Sequence, residues 1–133
     1  MNIIIDTNVF ISAVFFGGVP QKIIEAVVRE NVSAFATREI VAEYEEIVQE
    51  MESRKQGKLR QNMLTPFLEK LHMIVPKTKV AVCRDPDDDK FISCAIDAGA
   101  IYIVSGDKDL LALESYGNIE IVTAKEFCDR EGL

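Results

Sequence analysis

The sequence is poor in the residues on which several common site types depend. It contains no tryptophan, one histidine and three cysteines among 133 residues. Cys83, Cys94 and Cys128 are odd in number and form no Cys-x-x-Cys pair, which argues against a disulfide framework and against structural zinc. The single histidine, His72, is predicted on a leucine-rich helix, which argues against histidine-dependent catalysis. The chain also lacks a P-loop and a dinucleotide-binding fingerprint.

Long apolar runs are missing as well. No stretch approaches the ~20 apolar residues that span a bilayer, and the first residues, Met1 to Asp6, lack the basic region of a signal peptide. We therefore expect a cytoplasmic protein that has no membrane partner.

Positive charge is scarce, because 15 lysine and arginine residues face 22 aspartate and glutamate residues, for a net charge of -7. This balance argues against a protein that coats duplex nucleic acid through a basic stripe. It is compatible with a nuclease, because carboxylates gathered around divalent cations reverse the local charge that a phosphate meets. A hydrophobic content of 48% over this length predicts one domain covering residues 1–133.

Strand patterns alternate with helix patterns along the chain. The run Ile3-Ile4-Ile5 is β-branched throughout, as is typical of a strand covered on both faces of a parallel sheet. Further strands are predicted at 32–36, 74–75, 80–82, 101–104 and 119–122. Helices are predicted from Pro20, after an N-cap at Thr37, around 64–71, at 88–98 and 109–113, and after a capping box of Thr123 and Glu126. This alternation predicts an α/β domain with a mainly parallel sheet.

Carboxylates occupy the positions where such a sheet places its sites. Asp6 and Asp107 follow the two most hydrophobic strands, and sites in these folds form beyond the carboxyl ends of strands. Glu43 lies at the border of the apolar stripe of its helix, about 100° from the stripe's centre. Carboxylates brought within a few Å of one another favour a divalent cation, and oxygen-only ligands suit Mg²⁺ or Mn²⁺.

The acidic run at 85–89 is harder to interpret. Aspartate before a helix is a common cap, so two or three of Asp85, Asp87, Asp88 and Asp89 are expected only to cap the next helix. The residues alone leave open which of the four belongs to a site.

Five segments together resemble the PIN-domain ribonucleases, in particular VapC-like toxins of toxin–antitoxin systems and related PIN-family toxin components. They are IIIDTNV at 3–9, AEY at 42–44, RDPDDDKF at 84–91, IVSGDKDLL at 103–111 and IVTAKEF at 121–127. Their order and spacing extend over almost the whole chain. The resemblance implies a three-layer α/β/α PIN-like domain with strand order 3-2-1-4-5.

The resemblance also implies the site. Asp6, Glu43, Asp89 and Asp107 would be catalytic metal ligands, Asn8 and Ser105 would orient them, and Asp85 and Asp109 would assist. Asp89 is preferred in the acidic run because it lies three residues before Ile92, although Asp85, Asp87 or Asp88 can replace or assist it. The reaction implied is Mg²⁺- or Mn²⁺-dependent hydrolysis of RNA to a 5′-phosphate and a 3′-hydroxyl. Implied partners are an RNA substrate, a cognate antitoxin and a second copy of the chain in a homodimer.

Two further features bear on partners. The only basic cluster, Arg54, Lys55, Lys58 and Arg60, either steers the RNA backbone toward the acids or is simply a solvated loop. Phe15 and Phe16 either join the core or contact a partner.

Three other functions compete with the nuclease. A receiver-like phospho-signalling domain needs an aspartate after the middle strand, but none lies between Asp6 and Asp85. A haloacid-dehalogenase-like phosphatase needs a second aspartate where this chain has Asn8. A catalytically inactive PIN-fold binding module is disfavoured by the retained acids.

Overall fold

The computed structural model describes residues 1–133 as a single α/β domain. Strands β1 (Asn2–Ile5), β2 (Ser33–Ala36), β3 (His72–Met73), β4 (Tyr102–Val104), β5 (Ser115–Tyr116) and β6 (Ile119–Val122) form one sheet. The helices are α1 (Thr7–Phe16), α2 (Gly18–Val28), α3 (Arg38–Ser53), α4 (Gln61–Lys70), α5 (Asp89–Ala98), α6 (Lys108–Leu113) and α7 (Ala124–Glu131). A short 3₁₀ turn, Pro86–Asp88, leads directly into α5.

The sheet order is β3-β2-β1-β4-β6-β5, and every pairing is parallel except that of β5 with β6. This confirms the predicted mainly parallel α/β fold, and the expected order 3-2-1-4-5 corresponds to β3-β2-β1-β4-β6. The sixth strand is an addition at the edge. It forms because the chain reverses at Gly117, where φ is +58°, and pairs Tyr116 with Ile119.

The central strands are buried because both faces of the sheet are covered. Ile3, Ile4 and Ile5 are completely inaccessible to solvent, and they pack within one apolar core of 35 buried residues. This is the environment that a continuous β-branched run favours in a parallel sheet. The core therefore fixes β1 in the centre of the sheet and sets the position of the residue that follows it.

Several predicted helix ends are confirmed by their capping contacts. The hydroxyl of Thr37 accepts a hydrogen bond from the backbone N–H of Ile40 at 3.3 Å. Thr123 and Glu126 form the complete capping box at the start of α7. Gly99 adopts the left-handed conformation that ends α5.

Three local predictions were wrong. The first helix was predicted only from Pro20, but residues 7–16 already form α1, seven of whose ten residues are buried. His72 lies on the edge strand β3 and stacks on Phe35, with ring centroids 4.8 Å apart, so it is not helical. The strands predicted at 74–75 and 80–82 do not form; the segment is held instead by Asp97, which accepts hydrogen bonds from Lys77 and Thr78.

No individual helix is long and apolar enough to cross a bilayer. Only α1 and α2 taken together reach that length, across a bend of 99°.

Candidate active site

Asp6 and Ser105 are brought together by the pairing of β1 with β4. Ile5 lies opposite Val104, and the backbone N–H of Asp6 continues the ladder by donating to the carbonyl of Val104 at 2.9 Å. The next side chains along both strands therefore meet beyond the sheet. The hydroxyl of Ser105 donates to Oδ2 of Asp6 at 2.6 Å, and both residues are buried.

Asp107 is tied to the same point by the Ser105 hydroxyl. Its backbone N–H donates to Oγ of Ser105 at 2.9 Å, and its own Oδ2 accepts from the N–H of Leu110 at 3.1 Å as the N-cap of α6. One carboxylate oxygen of Asp107 thus caps a helix. The loop that carries Asp107 is fixed by these hydrogen bonds relative to Asp6.

The acidic run places Asp88 toward Asp6 and Asp107, and ties Asp89 to a neighbouring loop. Oδ1 of Asp89 accepts hydrogen bonds from the backbone N–H groups of Val82 and Cys83, at 3.1 and 2.9 Å. Burial acts to raise the pKa of Asp89, but these two donors outweigh it and lower that pKa. The carboxylate preferred from the sequence therefore has structural partners of its own.

Asp88 is the residue of the run whose carboxyl group lacks such partners. Its Oδ2 is buried and has no hydrogen-bond partner. Burial, the neighbouring Asp107 carboxyl and the charges of Asp6 and Asp85 together raise the pKa of Asp88 to about 7. An unpaired buried oxygen is costly in free energy, and a bound cation removes that cost.

The pKa of Asp6 is also shifted by its surroundings. Burial raises it, hydrogen bonds from Ser105 and from the Thr7 backbone oppose that shift, and the charges of Asp107 and Glu43 raise it further. Asp6 is the N-cap of α1 and Asp88 the N-cap of α5, yet neither side chain makes the capping hydrogen bond. Oδ2 of Asp88 is the oxygen of this pair that no protein group holds.

Glu43 reaches this region from α3, and both of its oxygens have partners. The hydroxyl of Thr7 donates to Oε2, and Nζ of Lys90 donates to Oε1 at 2.9 Å. The neighbouring Tyr44 donates its hydroxyl to the carbonyl of Ile5 and so ties α3 to the end of β1. Glu43 is half-buried, in line with its predicted position at the edge of the apolar stripe.

Lys90 carries the one positive charge that is ion-paired with Glu43. Its Nζ lies 2.9 Å from Oε1 of Glu43 and 3.0 Å from Oδ1 of Asp87. Burial acts to lower the pKa of Lys90, but the hydrogen bonds to the two carboxylates outweigh it and raise that pKa. Lys90 is therefore protonated throughout the physiological range.

The remaining predicted supporting residues lie at the margin of this region. Asn8 is exposed and is not among the side chains that hydrogen-bond the carboxylates. Asp85 accepts from the N–H of Asp87 at 3.0 Å, which is a capping contact. Asp109 lies in the first turn of α6, with Arg84 3.5 Å away.

Thr7 and Lys90 were missed in the sequence analysis although both contact Glu43. Thr7 directly follows the strand-end aspartate and is buried, so it was a reasonable candidate from its position alone. Lys90 carried no comparable signal, because a lysine near a helix start is ordinarily a solvated surface residue.

The site was tested for its fit to a divalent ion. With the side chains as they stand, no three acidic, histidine or cysteine residues are arranged to hold a metal ion. The donors fit one chemically, because they are carboxylate oxygens and one of them, Oδ2 of Asp88, is buried without a partner.

Residues 2–109 match the family model described as a PIN domain. The chain belongs to the PIN domain family. PIN domains are generally nucleases, and they generally use divalent metal ions. The family and the sheet order together exclude the receiver-like alternative, whose order is 2-1-3-4-5.

One relative and one solved structure are similar to this PIN domain. The chain is 35% identical over 144 aligned residues to the uncharacterized protein MJ1680 of Methanocaldococcus jannaschii, an alignment that covers 97% of this chain and 90% of that protein. Its fold is similar to the crystal structure of VapBC2 from Rickettsia felis bound to a DNA fragment from their promoter, with a TM-score of 0.62. That match is 17% identical and covers 91% of this chain and 97% of the other, so it bears on the fold alone.

Proposed function

We propose that this PIN domain is an endoribonuclease that hydrolyses RNA phosphodiester bonds with Mg²⁺ or Mn²⁺ and acts as the toxin of a toxin–antitoxin pair. The observation that carries the proposal is the meeting of three carboxyl groups, those of Asp6, Asp88 and Asp107, with Oδ2 of Asp88 buried and without a hydrogen-bond partner.

The proposed ligands are Asp6, Asp88 and Asp107, with Glu43 completing the acidic set. Asp88 takes the place first assigned to Asp89, because the Asp89 carboxylate is engaged by two backbone donors and the Asp88 oxygen by none. Asp85 and Asp109 remain supporting candidates, whereas Asn8, first expected to orient the ligands, is exposed and is now proposed to contact substrate.

Two hydroxyl residues, Ser105 and Thr7, position the proposed ligands. A bound divalent ion would supply activation of water and neutralisation of phosphate charge. Ser105 holds Asp6 in one orientation and fixes the Asp107 backbone through the same oxygen. Thr7 orients Glu43 from the opposite side. These contacts restrict the carboxylates before any substrate arrives, which is what precise positioning requires.

The basic cluster is proposed to guide RNA toward this acidic site. Arg54 is paired with Glu50, and Arg60 donates to Gln21. Lys55 and Lys58 are exposed in the same loop. They are therefore the residues of the cluster best placed to meet phosphates, with an effect that salt screens.

An antitoxin and a second copy of the chain are the proposed protein partners. The VapBC2 structure, to which this fold is similar, is a VapBC complex bound to a DNA fragment from their promoter. Here a groove of about 240 Å³ between α3 and α4 is lined by Tyr44, Val48, Leu64 and Leu68 and bordered by Glu45 and Glu52. It suits an apolar antitoxin segment that also carries basic residues. Phe15 is buried, whereas Phe16 is 60% exposed and is the better candidate for a contact between chains.

The decisive experiment is incubation of the protein with a mixed pool of RNA, with Mg²⁺, with Mn²⁺ and with a chelator. We expect cleavage only with a divalent ion, and a loss of about 100-fold or more in Asp6→Asn, which removes a ligand charge but keeps the side-chain shape. Asp129→Asn, on exposed α7, is the matched control and should cleave normally. Full activity in Asp6→Asn, or activity in chelator, would contradict the proposal; RNA binding without cleavage would favour the inactive binding module.

A further inference from the structure

Lys90 occupies a place in the fold that a lysine does not ordinarily take. It is the second residue of α5, and its side chain is only 8% exposed. A cation in the first turn of a helix is disfavoured by the positive end of the helix dipole, and burial of an ammonium group adds a further penalty. Specific partners must therefore compensate for both effects.

Those partners are acidic residues from two different elements. Glu43 on α3 and Asp87 in the 3₁₀ turn both lie within 3.0 Å of Nζ. The other charged groups nearby are also acidic. Asp107 and Glu43 both raise the pKa of Asp6, and Asp107 raises the pKa of Asp88. The one other basic residue paired at the margin, Arg84, is largely exposed.

We propose that Lys90 is the internal counter-ion of the acidic site: its ammonium group holds Glu43 and offsets the repulsion among the carboxylates until a divalent cation takes over that role. The replacement of Lys90 by a divalent cation rests on the proposed function, because it requires the acidic site to bind a cation. The counter-ion role of Lys90 does not rest on it, because that role concerns the chain without metal.

The contacts of Glu43 explain how the exchange can occur. Its Oε2 is held by Thr7, a neutral hydroxyl that need not move. Its Oε1 is held by Lys90, whose four-carbon stem is flexible and whose second partner, Asp87, is exposed and keeps the ammonium close by. Lys90 is thus a positioning residue that competes with a cation for one oxygen.

The test compares Lys90→Met with Lys125→Met. Both lysines are second residues of helices and both pair with an aspartate. Lys125 is 80% exposed, however, and its partner Asp129 is not one of the carboxylates of the acidic site. In chelator, we expect Lys90→Met to lower the melting temperature by about 5 °C or more and Lys125→Met to leave it within about 1 °C. Lys90→Arg, which keeps the charge, should recover most of the loss.

Metal titration supplies the readout that a simply structural lysine would not change. Saturating Mn²⁺ should close most of the gap between wild type and Lys90→Met. In calorimetric titrations Lys90→Met should bind Mn²⁺ on the order of tenfold more tightly than wild type, because a competing positive charge has been removed. Lys90→Arg should bind Mn²⁺ about as wild type does.

Each outcome separates the two ideas. Equal stability of Lys90→Met and Lys125→Met in chelator would overturn the counter-ion role, as would a failure of Lys90→Arg to restore stability. Weaker or unchanged Mn²⁺ binding by Lys90→Met, with normal binding by wild type, would overturn the competition. If wild type binds no Mn²⁺ at all, the proposed function fails, and so does the replacement of Lys90 by a cation. The stability result in chelator still decides whether Lys90 is the counter-ion.

Discussion

Replacing Asp88 by asparagine should stabilise the metal-free protein, although it removes a proposed ligand. The amide has nearly the shape of the carboxyl group, carries no charge and can donate to Asp107. In the unfolded chain Asp88 titrates near 3.8, whereas in the folded chain its pKa is about 7, chiefly because of burial and then because of Asp107. The folded protein thus favours the uncharged form of this residue.

The sign and size of the effect follow from that shift. The neutral Asp88 carboxyl contributes stability that is fully present below the unfolded pKa of 3.8 and is lost as the pH rises through about 7. Because Asp88 is only partly buried, solvent screening reduces the loss to about 1–2 kcal/mol at high pH. Asp88→Asn has no such loss, so its advantage over wild type should be near zero below about pH 4, grow as the pH rises, and reach its full size above about pH 7.

Urea unfolding in chelator, at about pH 4 and about pH 8, measures this difference directly. Asp89→Asn is the matched control one residue along and should have the opposite effect, because the charged Asp89 accepts two backbone N–H groups. Added Mn²⁺ should stabilise wild type and Asp89→Asn more than Asp88→Asn. A variant Asp88→Asn that is less stable than wild type at the higher pH would refute the account of the unpaired carboxyl group.

Three further substitutions test contacts around the acids. Tyr44→Phe should lower the free energy of unfolding by about 1–2 kcal/mol, because the Ile5 carbonyl loses its buried partner; chemical denaturation measures it, and an unchanged value would show that this hydrogen bond is not formed. Ser105→Ala should reduce RNA cleavage by about tenfold or more, because the strand-end carboxylate loses its orienting donor; Ser105→Thr keeps the hydroxyl and should retain more activity in the same assay. Thr7→Val keeps the side-chain volume but leaves one oxygen of Glu43 without a donor, so we expect cleavage to fall severalfold while the melting temperature changes little; a rise in activity would contradict the orienting role.

The sequence was sufficient to predict where two of the carboxylates lie in the fold, because strand burial is a local signal. A run such as Ile3-Ile4-Ile5 favours the centre of a parallel sheet, and the residue after it then lies at the sheet's carboxyl edge. Asp6 and Asp107 were placed by this reasoning. Helix α1 was not predicted, because its residues are apolar on nearly every side and show no helical stripe.

The third acid could not be fixed from spacing alone. Consecutive residues at a helix start point about 100° apart, so the choice between Asp88 and Asp89 depends on where the turn before α5 ends. The end of that turn is fixed by loop contacts, since the backbone N–H groups of Val82 and Cys83 donate hydrogen bonds to Asp89. The contact between Glu43 and Lys90 joins residues 47 positions apart, and neither residue's local sequence encodes it.

Crystals of the protein soaked in Mn²⁺ test the central claim most directly, because the anomalous signal locates the ion independently of any assay. The account predicts a peak at the ends of β1 and β4, contacted by oxygens of Asp6, Asp88 and Asp107. A chain whose crystals show no peak there at saturating Mn²⁺, or a peak held by Asp89 on the other side of the turn, would contradict it.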